Sequence, residues 1–209
     1  MTPLDLHSHR TAPYPEGIIS CSPADSQPIG GQLFSAGIHP WHIPADTCDE
    51  EELMHRLREI APSPAIAAIG EAGLDARRGL PMYRQLITFR QQALLAEEVR
   101  KPLIIHNVKC NEAIIALKRD IKPRQQWIIH GFRAWPQVAE MFLREGIALS
   151  FGEKFNEESL RLCPLPLLFA ETDESPLPIT EIIATLSRTR GEDLRPALRR
   201  NMTRLTAPA

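Results

Sequence analysis

Two histidines close to the start of the chain are the first residues whose spacing could support chemistry. His7 and His9 lie on or just after a short apolar run, 4–7, that predicts a β-strand. Because side chains alternate along a strand, both imidazoles face the same side and Ser8 faces the other. Imidazole is a common metal ligand. The pair alone is consistent with metal ligation or with two structural or exposed histidines.

Four more side chains of the metal-ligand type lie where apolar runs give way to loop sequence. Parallel barrels carry their active sites at this end of their strands. A buried charge or imidazole there costs on the order of several kcal/mol unless it is paired or metal-bound. Each alone could be a satisfied polar group of the core, but together with the first two they indicate a metal site drawn from five strands. The four residues are Glu71, His106, His130 and Asp173.

The size of this ligand set predicts how many metal ions it holds. Its four histidines and two carboxylates exceed the ligands of one tetrahedral zinc site. They suit two divalent ions a few ångströms apart, with one carboxylate able to bridge them. Such a pair makes hydroxide available near neutral pH, so hydrolysis is the reaction class that these residues predict. The sequence contains no Gly-x-Ser-x-Gly motif that would favour a serine hydrolase.

Eight short aliphatic runs predict the strands that position these side chains, and helical spacing separates the later ones. Several runs are almost wholly apolar, as expected for a buried parallel sheet. The alternation predicts an α/β fold, a closed TIM-type (β/α)8 barrel, in one domain over residues 1–209. The predicted strands are 4–7, 17–21, 33–38, 66–69, 103–106, 127–130, 147–150 and 167–170. The predicted helices are 48–60, 81–100, 111–120, 135–145 and 179–190, with short turns at 155–162 and 201–205.

The first two connections of this barrel are too short for crossover helices. Segments 8–16 and 22–32 are short and rich in proline, and the chain has 19 prolines. Barrels of this kind usually need about 250 residues, so 209 residues predict a trimmed barrel without its early crossover helices. We expect the outer faces of the first three strands to form an apolar patch that a terminal helix or a second copy must cover. The second alternative predicts a homodimer through these strands.

Composition limits the location and the partners of the protein. The net charge of −2 gives no general attraction to nucleic acid or to an anionic membrane. No apolar run approaches the length of a membrane helix, and residues 1–10 lack the pattern of a secretory signal. Four scattered cysteines without a Cys-x-x-Cys pair predict reduced thiols in a cytoplasmic protein.

A phosphate-bearing substrate would therefore need local positive charge. Two divalent ions carry four positive charges, of which Glu71 and Asp173 offset two, so a phosphate could bind there. Lys109 and Arg133 follow predicted ligands closely and are the better candidates for contacting it. Arg77 and Arg78 are expected to be merely exposed. Arg10 is a weaker candidate, and the C-terminal arginines, from Arg188 to Arg204, are expected to form a solvated helix face.

The segment after the third predicted strand contributes further candidates. His39 could contact the substrate or a metal-bound water. Trp41 and His42 could line the pocket wall, although Trp41 could equally serve in packing.

Six short motifs of the chain resemble those of a known family. The motifs are Leu-Asp-Leu-His-Ser-His, Ala-Gly-Ile-His-Pro-Trp-His, Ala-Ile-Gly-Glu-Ala-Gly-Leu-Asp, Pro-Leu-Ile-Ile-His, Ile-Ile-His-Gly-Phe and Glu-Thr-Asp. Their order and spacing over nearly the whole chain resemble the TatD family of metal-dependent hydrolases. The resemblance implies an amidohydrolase-type barrel with two divalent metals, and several members degrade DNA as 3′–5′ exonucleases or act as general phosphodiesterases.

Carried over by position, the resemblance implies roles for the predicted ligands. His7 and His9 would hold one metal, and Glu71 would bridge to the second. The second site would be completed by His106 and His130. Asp173 would bind the first metal and orient or deprotonate the attacking water, so that Asp173 and Glu71 are the expected catalytic residues.

The chain also departs from the family pattern near the expected substrate. Many members have an arginine where this chain has Val108, followed here by Lys109. Arg133 stands where small residues are common, and Glu174 adds an acid beside Asp173. These departures leave the predicted metal site intact but bear on the substrate.

The expected function is therefore hydrolysis of phosphodiester bonds with Mg²⁺, Mn²⁺ or Zn²⁺, on DNA ends or small phosphodiesters. The same barrel and metals also serve hydrolysis of lactone or amide bonds, which is the alternative enzyme. A non-catalytic scaffold that retains the barrel is the alternative outside catalysis.

Overall fold

The computed structural model describes residues 3–25 and 30–207, in which eight parallel strands close into a barrel. Each strand pairs with its neighbour in sequence, and the last pairs with the first through Asp5 and Ala170. The predicted barrel is therefore confirmed. The strands are β1 (Asp5–Ser8), β2 (Gly17–Cys21), β3 (Leu33–Ala36), β4 (Ile66–Asp75), β5 (Leu103–Val108), β6 (Trp127–Ile129), β7 (Ala148–Phe151) and β8 (Leu168–Ala170).

Helices follow the third and later strands. Asp46 caps the first of them, accepting a hydrogen bond from the backbone N–H of Cys48 at 2.7 Å. The sequence predicted only a turn at 201–205, where the structure has a full helix. The helices are α1 (Thr47–Ile60), α2 (Met82–Glu98), α3 (Asn111–Ile121), α4 (Pro136–Arg144), α5 (Glu157–Leu162), α6 (Ile179–Arg190) and α7 (Arg195–Thr206). None of the helices described here has the length and apolarity needed to cross a membrane.

Two apolar clusters stabilise the barrel. The larger one lies between the strands and the surrounding helices. The smaller one fills the barrel interior, and Met202 of α7 joins it. Asn201 fixes α7 there, because its side-chain amide donates to the backbone carbonyls of Leu165 and Leu168 at 2.7 and 2.8 Å. Because apolar side chains fill the barrel interior, the polar residues collect at the carboxyl ends of the strands.

The outer faces of β2 and β3 are buried, contrary to the apolar patch expected from the sequence. Ile19 and Phe34 are only 6% and 9% exposed. They belong to the same apolar cluster as Met54 and Leu57 of α1, so the helix that follows β3 also supplies cover on this side. The described residues therefore do not show the uncovered N-terminal strands that were expected, and the homodimer stays a prediction.

The Tyr14 ring packs against β1 and β2, neither of which is followed by a helix. A Cβ atom at Gly17 would come within 2.6 Å of the Tyr14 ring and 2.7 Å of Asp5 Cβ, so glycine is required for this close packing. The Tyr14 hydroxyl donates to Asp5 Oδ2 at 2.9 Å. Its backbone N–H donates to Gln32 Oε1 at 2.6 Å, and the Gln32 amide donates to the carbonyl of Gly17 at 3.1 Å. Side-chain hydrogen bonds thus connect the short N-terminal segments to the barrel wall.

Candidate metal centre

Glu71 lies at the centre of the site, and one of its oxygens faces three histidines. Oε1 is 2.7 Å from Nε2 of His130 and 2.8 Å from Nδ1 of His106. It is also 3.1 Å from Nε2 of His39. Two of these rings were predicted as ligands, and His39 was predicted only to contact substrate or water. The structure therefore places His39 closer to the centre than the sequence suggested.

The other oxygen of Glu71 faces the two histidines of the first strand. Oε2 is 3.4 Å from Nε2 of His7 and 3.6 Å from Nε2 of His9. Asp173 completes this side, with Oδ1 at 3.8 Å from His7 and 3.5 Å from His9. The structure thus brings together all six predicted ligands, with Glu71 between the two groups.

Close pairing of β4 with β5 places Glu71 beside His106. The sequence predicted a strand ending at residue 69, but β4 continues to Asp75, so Glu71 lies within it. Gly73 pairs with His106, and a Cβ atom at Gly73 would come within 2.0 Å of the His106 carbonyl oxygen. Its φ of +153° also lies in the region that favours glycine. This position allows the two ligand-bearing strands to approach each other.

Asp173 is attached to the first strand by backbone hydrogen bonds. Its N–H donates to the carbonyl of His7 at 2.9 Å, and its carbonyl accepts from the N–H of His9 at 3.2 Å. The preceding Thr172 is bound to Asp5, which accepts from the Thr172 N–H at 2.9 Å and from its hydroxyl at 2.6 Å. Burial raises the pKa of Asp5 to about 7, against the opposing effect of these hydrogen bonds. Asp5 therefore fixes β1 and the segment after β8 together.

The electrostatics of the cluster fit divalent cations. Burial alone would raise the pKa of Glu71, but His130 and the hydrogen bonds of the surrounding imidazoles lower it well below its usual value. Burial opposes protonation of His130, yet Glu71 and Glu171 hold the pKa of its imidazole well above the usual value. The hydrogen bond to Glu71 likewise raises the pKa of His9. The carboxylates thus require positive charge, which bound metal ions would supply in place of protons.

His7 gives a second indication that the donors suit a metal. Its ring is fully buried, and neither ring nitrogen has a hydrogen-bond partner within the described part of the chain. A buried polar atom without a partner is costly, and a coordinated ion would remove that cost. Ligand atoms of His7, His9 and Asp173 lie within 4.8 Å of one another, and so do those of His7, Glu71 and His130.

Two carboxylates behind the ligands were missed by the sequence analysis. Glu171 is fully buried, and its Oε1 accepts from the N–H of Gly131 at 2.6 Å and lies 3.4 Å from Nδ1 of His130. Asp75 Oδ2 lies 3.5 Å from Nε2 of His106. Carboxylates in this position orient ligand histidines. Both stand within the motifs quoted above, and the position of Glu171 directly after the predicted strand 167–170 was a signal that could have identified it.

The structure changes the predicted set of substrate-binding cations. Arg133 lines the cavity above the cluster, and its contact with a substrate stays a prediction. Lys109 is exposed but is absent from the cavity lining, and its backbone has a left-handed φ of 57° directly after β5. Arg10 donates to the carbonyls of Ser175 and Leu177 and so stabilises the loop after β8. Arg78, predicted to be merely exposed, lines the cavity.

The cavity above the cluster has a volume of about 1250 Å³. Typical small-molecule pockets measure about 300–1,000 Å³, so this one accommodates part of a larger substrate. His39, Trp41 and His42 line it, as predicted for the last two. The described lining residues include six carboxylates and three cations, Arg78, Arg133 and Lys154.

A closed parallel barrel with histidines and carboxylates converging at the carboxyl ends of its strands defines a class of metal-binding barrel proteins. A family model described as TatD related DNase matches residues 27–205. The match covers more than half of the chain, and the chain belongs to this family.

Among curated relatives, the uncharacterized metal-dependent hydrolase YabD of Bacillus subtilis is 34% identical over 143 residues, covering 64% of this chain and 56% of YabD. The 3′-5′ ssDNA/RNA exonuclease TatD of Pantoea vagans is 31% identical over 166 residues, covering 72% of this chain and 60% of that protein. The chain thus matches less than two thirds of the length of these relatives.

Solved structures show the same fold. The crystal structure of YjjV, a TatD homologue from Escherichia coli, has a TM-score of 0.80 at 19% identity, covering 98% of this chain and 97% of that chain. A TatD family hydrolase from Entamoeba histolytica has a TM-score of 0.71 at 16% identity, covering 92% of this chain and 85% of that chain.

Proposed function

We propose that the protein is a two-metal hydrolase of phosphodiester bonds that removes nucleotides from the 3′ ends of single-stranded DNA. The observation that carries this proposal is the position of Glu71, with one carboxylate oxygen facing His106 and His130 and the other facing His7 and His9. A carboxylate placed in this way suits a bridge between two cations.

The residues divide naturally between two metal positions. His7, His9 and Asp173 would hold one cation, since their ligand atoms already cluster. His106 and His130 would hold the other, with Glu71 shared. Bound Mg²⁺, Mn²⁺ or Zn²⁺ would supply a hydroxide near neutral pH and positive charge for the phosphate oxygens. Glu171 and Asp75 would keep the two rings of the second position oriented.

Asp173 is the residue that we assign to the attacking water. Its side chain is 40% exposed, so water can reach it, whereas Glu71 is buried among imidazoles. Its backbone bonds to β1 fix it beside His7 and His9. In this position its carboxylate can orient a water molecule and accept a proton from it.

The substrate class is supported by the mouth of the site and by relatives. The cavity is wide, and three cations lie in its wall. Phosphate oxygens are the groups that such cations bind. The matched relatives include proteins named 3′-5′ ssDNA/RNA exonuclease. Neutral lactones or amides have no charged phosphate oxygens for these cations to bind.

A direct test is digestion of a 5′-labelled single-stranded oligonucleotide with each of the three metals. We expect stepwise shortening from the 3′ end, abolished by chelation. Asp173→Asn should lower the rate by about 10²–10⁴-fold at unchanged circular dichroism. Glu158→Gln, an exposed carboxylate change on α5, is the matched control and should leave the rate unchanged.

Two results would overturn the proposal. Activity of the metal-loaded protein on lactones or amides, with none on phosphoesters, would assign it to the other hydrolase class. A protein that binds no divalent metal and gains no stability from it would be a scaffold.

A further inference from the structure

We propose that Arg78, stacked on Trp41 at the wall of the cavity, binds a non-scissile phosphate of the substrate and so selects polynucleotides over isolated phosphodiesters. This inference rests on the proposed function, because it names a subsite for the same reaction. It concerns a residue that sequence reasoning expected to be merely exposed.

The side chain of Arg78 is held in place by an aromatic ring. Its guanidinium carbon lies 3.9 Å from the centroid of the Trp41 ring, within the range of a cation–π contact. The indole is fixed in turn, because its Nε1–H donates to Asp75 Oδ2 at 2.7 Å. The same Asp75 oxygen lies 3.5 Å from Nε2 of His106. A short series of contacts therefore connects the cation to a predicted metal ligand.

The backbone of this loop is also fixed, which distinguishes Arg78 from an ordinary loop cation. Gln85 of α2 is 1% exposed, and its side-chain amide donates to the carbonyls of Arg78, Asp75 and Leu80 at 3.1, 3.1 and 2.7 Å. Its Oε1 accepts from the N–H of Asp75 at 2.8 Å. A buried amide with all these partners holds the loop in one conformation.

The charge of Arg78 is available to a ligand. Arg84, Arg56 and Arg90 each form an ion pair with a carboxylate. Within the described part of the chain, no ion pair or hydrogen bond of the Arg78 guanidinium is found. Stacking uses the face of the guanidinium and leaves its edge N–H groups free. These groups match the oxygens of a phosphate in a bidentate arrangement.

The position of Arg78 indicates which phosphate it binds. The scissile phosphate must reach the metal ligands, whereas Arg78 contacts none of them and stacks on the Trp41 ring, whose centroid lies 5.4 Å from that of the His106 ring. A cation that reaches the cavity wall through this indole, and not through a metal ligand, is suited to a neighbouring phosphate of the same strand. Arg133 and Lys154 also line the cavity, but no stacking contact of either is seen in the described structure.

The test compares two substrates of the metal-loaded enzyme: a single-stranded oligonucleotide and bis(p-nitrophenyl) phosphate, which has only one phosphate. Arg78→Ala should raise KM for the oligonucleotide by about tenfold, since a charge-assisted hydrogen bond is lost, and should change KM for the small substrate much less. Arg78→Lys should fall between these values, because it keeps the charge without the bidentate edge. Arg77→Ala, an exposed neighbour outside the cavity lining, is the matched control.

A binding measurement keeps the inference testable without turnover. In an Asp173→Asn background with Mg²⁺, fluorescence anisotropy of a labelled oligonucleotide should show about tenfold weaker binding after Arg78→Ala. Equal affinity and equal KM would overturn the role of Arg78 while leaving the proposed function intact. Absence of any phosphodiester cleavage by the wild type would instead overturn the proposed function.

Discussion

The first two strands and the last six enclose the same barrel by different physical means. From β3 onward, amphipathic helices cover the strands with apolar side chains such as Phe89 and Phe142, both fully buried. Around β1 and β2, coil segments cover the strands through the Tyr14 ring and the hydrogen bonds of Asp5 and Gln32. The comparison shows that a barrel wall needs its outer face covered and its polar groups paired. It does not need a helix for each strand.

The two regions also meet at the candidate metal centre. The N-terminal region supplies His7 and His9, and the helical region supplies the other four predicted ligands. The Asp5 hydrogen bonds to Thr172 join the two regions next to Asp173. We therefore expect changes in the helical cover to affect stability alone, and changes in the polar cover to affect metal binding as well.

The largest loss of stability is expected from the helical cover. Phe142→Ala removes a fully buried ring of α4 that contacts Phe132 edge-to-face, with centroids 6.4 Å apart. It should lower the free energy of unfolding by about 3–5 kcal/mol, measured by urea denaturation. The metal affinity of the folded protein should not change. A lowered affinity would show that the two regions are not separable.

A smaller loss of stability with a larger effect on the metal centre is expected from Asp5→Ala. The change leaves the Thr172 N–H and the two hydroxyls that bind Asp5 without their acceptor, so unfolding should become easier by about 1–3 kcal/mol. Because His7 and Asp173 lose their common support, metal affinity should fall by about 10–100-fold, measured by isothermal titration calorimetry. An unchanged metal affinity would show that Asp5 has a purely structural role.

The smallest effect is expected from Tyr14→Phe. The ring that covers Gly17 remains, and only the hydroxyl that donates to Asp5 Oδ2 is lost. Stability should fall by about 1 kcal/mol in the same denaturation experiment. Tyr14→Ala also removes the cover and should lose clearly more. Equal losses for the two variants would mean that the hydrogen bond, and not the ring, protects these strands.

The sequence predicted those features that follow from local pattern. The closed barrel followed from alternating strands and helices, and the six predicted ligands were found by their place at the ends of apolar runs, and the structure brings them together.

Features that depend on contacts between distant segments were not predictable in this way. The burial of β1 and β2 depends on Tyr14 packing against Gly17 and bonding to Gln32, which no periodicity reveals. Arg78 and Lys109 have the same kind of sequence setting, yet stacking on Trp41 places only Arg78 in the cavity wall. Residues 26–29 of the second short connection lie outside the described residues.

The most direct test of the account is the number of divalent ions bound by the chain. Metal titration of chelator-treated protein, followed by calorimetry and elemental analysis, should show two ions for the wild type. Glu71→Gln, which removes the charge shared between the two groups of histidines, should bind one ion at most at unchanged fold. A wild type that binds one ion or none, or a Glu71→Gln variant that still binds two with equal affinity, would contradict a centre built around Glu71.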